Sequence, residues 1–175
     1  MIKLKAFYLP IYFSLIFIIG NKMQKTQFNR LANNSPVWLS NFISIYQKLG
    51  TNNLDLLSVI YHDDITFIDP LHDIQGFSDL YQYFKGLYQN LLTCDFVINK
   101  VIFDGNEAAI YWTMTYQHSK LNKGACVTVS GSSHIQGNED KVTYHRDYLD
   151  LGAMLYEQLP LFGKLTKWIK TQAVS

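Results

Sequence analysis

The sequence predicts an α+β domain in which three helices precede a curved, four-stranded antiparallel meander. Three observations carry that class. Apolar residues recur at helical spacing before Thr93 and alternate with period two after it. Turn signals at Asp104-Gly105-Asn106 and Gly137-Asn138-Glu139-Asp140 cut the second half into strands. The 12 Tyr and 11 Phe suit a large curved sheet and a pocket lined by rings with polar tips. With 175 residues, 48% of them apolar, the chain has material for one sizeable core and is not disordered.

The elements follow in order. Ser35-Pro36 announces a first helix, serine as cap and proline at the first helical position, with Trp38, Phe42, Ile45, Tyr46 and Leu49 as its apolar stripe and Gly50 as its stop. A shorter helix runs from about Leu54 to Tyr61. Asp63-Asp64 is read as capping the turn from that helix into a short strand, Ile65 to Ile68, β-branched and aromatic throughout. Asp69-Pro70 ends the strand, because proline cannot donate to a ladder. Gly76 opens a third helix with Ser78 as cap, and Phe77, Leu80, Tyr81, Phe84, Leu87, Tyr88 and Leu91 fit one helical face. The meander comprises Asp95–Phe103, Ala108–His118, Ala125–Ile135 and Lys141–Leu149, with Gly131 expected to bulge or bend the third of these. Asp150 to Glu157 reads as short helix or coil. Pro160 begins a last amphipathic helix with Leu161, Phe162, Leu165, Trp168 and Ile169 on one side and Lys164, Lys167 and Lys170 on the other. Lysines there read as a solvated face before a membrane patch.

Charge and cysteines exclude several classes. Net charge is +1 with no basic cluster, which disfavours a nucleic-acid partner. Cys94 and Cys126 show no CxxC or zinc spacing and read as free, half-buried thiols of a reducing, cytoplasmic compartment. The five histidines show no ligand spacing, so no metal or other cofactor is expected. Residues 1–34 are expected to lie outside the fold, which begins at Ser35. Lys3 and Lys5 precede an apolar run at residues 6–19. Three readings stand: an upstream extension before a true start at Met23, an uncleaved membrane anchor, or an export signal. Membrane contact is expected only if that run is a real anchor.

The order of elements, with the stretches YHDDITFIDP (61–70) and HRDYLDLG (145–152), resembles the SnoaL-like and nuclear transport factor 2-like superfamily. That superfamily includes ketosteroid isomerase and scytalone dehydratase. The resemblance spans roughly residues 36–149 and implies a cone: a curved antiparallel sheet wraps the long helix, and its open end is a pocket. Residues 35–175 would then be one SnoaL-like domain. The first stretch is similar to the isomerase segment that ends in its general-base aspartate, which puts Asp69 in that role. Two departures follow. The isomerase's acidic residue on a late strand falls near Ser132 here, which is no acid, and its helix tyrosine has only an approximate counterpart in Tyr46. The aspartate–arginine–aspartate relay of the epoxide hydrolase of this fold is matched only in part by Arg146 and Asp147.

The residues permit two readings at each site. Asp69 is a general base near a pocket, or a cap for the turn made with Pro70. Tyr61, Phe67 and Phe84 supply its aromatic surroundings, and His72 orients it or is structural. On the last strand His145 and Asp147 share a face, an acid–base pair by spacing, while Tyr144, Arg146 and Tyr148 point the other way. The alternative at this strand is structural: Arg146 pairs with a carboxylate of a neighbouring strand. Trp112 with Met114 and Tyr116 builds core or pocket wall. Two functions stay open: cofactor-independent proton transfer on a hydrophobic small molecule (isomerase, dehydratase or cyclase type), or a non-catalytic ligand-binding or protein-interaction domain. A homodimer is expected through the outer sheet face, where alternate Tyr and Thr side chains gather.

Overall fold

The computed structural model describes residues 35–173, Lys167 by its backbone alone. The expected extension at residues 1–34, with its apolar run, lies outside the described residues. Helix α1 spans Val37–Tyr46. A 3₁₀ turn at Leu54–Leu56 leads into the four-residue helix α2, Leu57–Ile60. Strands β1, Tyr61–Ile68, and β2, Asp73–Gln75, precede helix α3, Phe77–Tyr88. The meander follows as β3, Leu91–Asp104; β4, Glu107–His118; β5, Val127–Asn138; and β6, Lys141–Leu149. Helix α4, Leu151–Met154, a 3₁₀ turn at Tyr156–Gln158 and helix α5, Pro160–Gln172, complete the chain.

The architecture is the predicted α+β one, with particular corrections. The sheet has six strands in the order β2-β1-β6-β5-β4-β3. Every pair is antiparallel except β1 with β6, because the meander returns β6 to the flank of a strand laid down before it. The unforeseen β2 pairs with the end of β1. Strand β1 begins at Tyr61, so Asp63 and Asp64 are exposed strand residues, not helix caps. They occupy the register shift between Tyr61 and Thr66, where pairing with β6 is interrupted and no helix end is left to cap. The cap of α1 is Pro36 rather than Ser35, and that of α3 is Gly76 rather than Ser78. Gly76 stands at φ 85°, a conformation glycine adopts without steric cost. Leu91 leaves the helix and starts β3.

The core lies between the helices and the concave face of the sheet. Helix α1 contributes Trp38, Leu39, Phe42 and Ile43, and α3 contributes Leu80 and Phe84. The inward set of the sheet includes Ile65, Phe67, Ile110, Trp112, Val129 and Ile135. Two strand glycines make room for this packing. Gly131, expected to bulge, keeps an unbroken register with β4. Its role is close approach, since a Cβ there would stand 2.3 Å from the Trp112 ring. Gly137 sits at the actual register shift on β5, and its Cβ would stand 2.2 Å from Trp38.

The outward face carries Tyr111, Thr113, Thr115, Thr128 and Tyr148, with Tyr111 and Tyr148 exposed. Arg146 lies over the Tyr148 ring at 5.1 Å instead of facing a carboxylate, because its strand neighbour at that register is His134. Cys94 is buried and Cys126 exposed, both unpaired, so the thiols are not alike as expected. Among the described residues no helix is long and apolar enough to cross a membrane.

The glycine packing is testable by denaturation. Gly137→Ala drives a methyl group into a buried indole and is expected to cost about 1–3 kcal/mol. Gly86→Ala, on a helix with nothing within 4 Å of the added carbon, is expected to be neutral or to stabilise by up to about 1 kcal/mol.

Candidate active site

The concave face of the sheet and the inner sides of α1 and α3 enclose a cavity of about 480 Å³. Rings recur all along its wall: Phe42 and Tyr46 from α1, Phe67 from β1, Tyr83, Phe84 and Tyr88 from α3, and Phe96, Trp112 and Tyr116 from the meander. That volume fits one small organic molecule. The carboxylates on its wall belong to Asp69 and Asp147.

Their environments differ. Asp69, at the end of β1, uses both oxygens. Its Oδ1 accepts from the backbone N–H of Leu71 at 2.7 Å and of His72 at 2.8 Å, and its Oδ2 accepts from the Tyr83 hydroxyl. The His72 ring rests on Tyr83 at 4.6 Å and lies 3.7 Å from Asp69 Oδ1, outside the cavity wall. This is the geometry of an aspartate that fixes a turn.

Asp147 is held through one oxygen only. His145 Nε2 lies 2.9 Å from its Oδ1, and the Ser133 hydroxyl donates to the same atom. Among the described residues no hydrogen bond reaches its Oδ2. Ser133 in turn accepts from Trp112 Nε1 at 2.8 Å. On the other side of the imidazole, Nδ1 meets the Tyr61 hydroxyl at 2.6 Å, and Tyr61 meets the Tyr46 hydroxyl at 2.6 Å. A chain of six side chains, Tyr46-Tyr61-His145-Asp147-Ser133-Trp112, thus links α1, β1, β6, β5 and β4. Tyr61 and His145 sit behind the wall, while Tyr46 and Asp147 face the cavity at the two ends of the imidazole relay. Phe42 and Phe67 close edge-on over the imidazole at 5.4 and 5.0 Å, leaving His145 only 1% exposed.

Proton directions follow from donor counts. Ionised Asp147 only accepts, so His145 Nε2 carries a proton in either charge state. With neutral imidazole, Tyr61 donates to Nδ1 and Tyr46 donates to Tyr61. With imidazolium, Nδ1–H donates to Tyr61, Tyr61 donates to Tyr46, and the Tyr46 O–H is released toward the cavity. Burial raises both phenols, Tyr46 and Tyr61, well above the ordinary tyrosine range, so they act as hydrogen-bond donors. Tyr83 and Tyr88 are raised by burial as well. Burial also pushes the Cys94 thiol, on the cavity wall, up to about 11.

Of the residues singled out from sequence, Tyr46, Phe67, Asp69, Phe84, Trp112 and Asp147 meet at the cavity. His145 and Tyr61 stand immediately behind it, and His72 lies outside. Ser132 is a correction: it pairs with Tyr148 and Tyr111 in the outward row, and its neighbour Ser133 is the buried residue at the wall. Strand parity carries the signal, since Val127, Val129, Ser133 and Ile135 form one odd-numbered inward set. Tyr83, which reaches Asp69, lies off the main apolar stripe of α3 and carried no such signal.

Fold and site together define a cone-shaped α+β domain of the nuclear transport factor 2-like type with an aromatic-lined cavity open to solvent on one side. The SnoaL-like domain family model matches residues 43–145, and the chain belongs to that family. Solved structures agree on the fold. A candidate SnoaL-like polyketide cyclase from Jannaschia sp. CCS1 is similar with a TM-score of 0.62 at 14% identity, covering 70% of this chain and 93% of that one. A ketosteroid isomerase-like protein from Catenulispora acidiphila, solved with trimethylamine, has a TM-score of 0.59 at 15% identity over 71% and 93% of the two chains. TerC co-crystallised with polyporic acid has a TM-score of 0.58 at 14% identity over 67% and 94%. No curated protein matches the chain.

Two serine variants separate the inward from the outward register. Ser133→Ala leaves the buried Trp112 N–H without its acceptor and is expected to cost about 1–3 kcal/mol in denaturant unfolding. Ser132→Ala is expected to change stability by no more than about 0.5 kcal/mol.

Proposed function

We propose that the protein binds a hydrophobic small molecule in this cavity and moves a proton on it without a cofactor, as an isomerase, dehydratase or cyclase does. Asp147 is the base in this reading. The observation that supports it is the asymmetry of the two wall carboxylates: both oxygens of Asp69 are committed, whereas Asp147 is oriented through Oδ1 and, among the described residues, keeps Oδ2 unpartnered. Asp69 then serves the mouth of the cavity as a turn-fixing residue. The trimethylamine and polyporic acid held by two neighbours of the same fold support a small-molecule ligand.

In the mechanism that follows, His145 begins as imidazolium paired with ionised Asp147. Oδ2 takes a proton from a carbon next to a carbonyl. The charge developing on the carbonyl oxygen is met by the Tyr46 O–H, which transfers its proton. Tyr61 re-protonates Tyr46, and His145 Nδ1 re-protonates Tyr61. The ligand has lost one proton and gained one, the histidine is neutral and Asp147 holds a proton; as Asp147 delivers it to a second carbon the relay runs back, Tyr46 taking the proton from the enol oxygen and His145 returning to imidazolium. The rings of the wall surround these steps with apolar surface, which strengthens the hydrogen bonds that carry them.

The reading is tested by screening enolisable aromatic ketones for thermal stabilisation and following deuterium exchange at the activated carbon. Asp147→Asn is expected to lower exchange about 10²–10⁴-fold while the ligand still binds. Asp69→Asn is expected to keep the exchange rate and to lose about 1 kcal/mol of stability through a weakened turn. Binding without exchange in the wild type would favour the ligand-carrier reading, and loss confined to Asp69→Asn would return the base to that residue.

The expected homodimer is kept as part of this proposal, its surface being the outward β4–β5–β6 face with Tyr111 and Tyr148. Light scattering is expected to give twice the chain mass at micromolar concentration, and Tyr148→Lys to halve it.

A further inference from the structure

Helix α5 is seated the wrong way round for a helix that completes a core. Its inner side is the small and polar one. Gly163 is buried, and a Cβ there would stand 2.4 Å from the Glu157 carbonyl, so glycine permits the close crossing over the Tyr156–Gln158 turn. Thr166 is half-buried on the same side, and Lys170 turns back to Glu157 and, at 3.5 Å, to Asp150. The apolar stripe therefore points away from the domain. Leu161, Phe162, Leu165, Trp168 and Ile169 are 82%, 58%, 50%, 60% and 51% exposed. At 3.6 residues per turn they cover about 120° of the helix surface, nearly opposite the seat.

The chemistry of the helix says what covers this stripe. Residues 160–172 hold three lysines and no carboxylate. The acidic neighbours Asp150 and Glu157 lie on the seated side, where Lys170 pairs with them. Stacking the stripe on that of a second copy sets one all-basic helix against another, an unfavourable arrangement for a two-fold contact. A partner with anionic groups above an apolar layer matches both parts. The stripe is continuous and carries a tryptophan and a phenylalanine, side chains suited to the headgroup–acyl boundary. We infer that α5 is a membrane-surface helix, lying in the interface of an anionic bilayer with Leu161, Phe162, Leu165, Trp168 and Ile169 immersed. Met154 and Leu155 of the cavity wall connect to it through the Tyr156–Gln158 turn, so the immersed helix is tied directly to the ligand cavity.

The test uses the full chain and its own tryptophans. Trp38 and Trp112 are 2% and 6% exposed, so Trp168 dominates the response of emission to solvent and quenchers. Vesicles of phosphatidylcholine with phosphatidylglycerol are expected to shift its emission to the blue and protect it from iodide. Pure phosphatidylcholine should do so far less, and added salt should weaken the effect. Trp168→Phe should abolish the shift, which assigns it. Leu165→Glu, at a solvent-exposed position, should fold normally by circular dichroism and reduce vesicle-induced protection of Trp168 about tenfold or more. The inference is overturned if anionic vesicles leave Trp168 emission unchanged, even when the chain floats with them. It is overturned in favour of self-association if the shift appears without vesicles on raising protein concentration. It is also overturned if Trp168 is already shielded from iodide in dilute protein, the result expected when the apolar run at residues 6–19 covers the stripe.

Discussion

The structure depends on a buried imidazole. His145 is 1% exposed and lies among Phe42, Phe67 and Tyr61, where an unpaired ring nitrogen would carry a desolvation cost of about 1–3 kcal/mol. Both nitrogens are paired, one to Tyr61 and one to Asp147. Each partner is then held by the next, Tyr46 on one side and Ser133 with Trp112 on the other. Satisfying one polar ring thereby specifies the relative positions of α1, β1, β6, β5 and β4. Among the described residues no buried side-chain nitrogen or oxygen lacks a partner, the condition under which such a network specifies a core.

The same network explains why the sheet cannot be a simple meander. Tyr61 and His145 meet only because β1 lies parallel to β6, pairing Phe67 with His145 and Ile68 with Arg146. The register shift between Tyr61 and Thr66 displaces Asp63 and Asp64 outward and leaves Tyr61 buried. Gly131 and Gly137 let two indoles approach β5 where a Cβ would collide. Trp112, seated on Gly131, is then in place to donate to Ser133. Backbone irregularity and glycine placement thus serve one end: bringing a polar chain and an aromatic wall to the same concave face.

Much of this was legible in the chain. The change of period at Thr93, the turns at residues 104–106 and 137–140 and the stripe of α3 were local signals, and their elements stand where expected within a few residues. Parity on β6 put His145 and Asp147 on one face, and they are bonded. Less local features were not legible. Strand β2 has three residues and exists because β1 offers it an edge. Ser133, not Ser132, faces the cavity, because a strand reverses its facing at every residue and a likeness to a remote family does not fix position to one residue.

The order of elements, the rings available for a wall and the two aspartates are legible in the chain, because they follow from residue type and local period, while the family follows from the likeness of its motifs and the match over residues 43–145. Which of the two aspartates keeps an oxygen unbonded among the described residues is decided by the fold. Asp69 and Asp147 are the same side chain in the sequence, and they differ only in what the fold brings to their oxygens: two backbone N–H groups and Tyr83 for one, His145 and Ser133 on a single oxygen for the other. Tertiary structure also decided the orientation of α5. Its amphipathic pattern defines an apolar side but not where that side points. The close crossing at Gly163 and the pairing of Lys170 turned it outward, because hydrogen bonds and steric fit are settled by neighbours far along the chain or across a turn, not by the helix's own period.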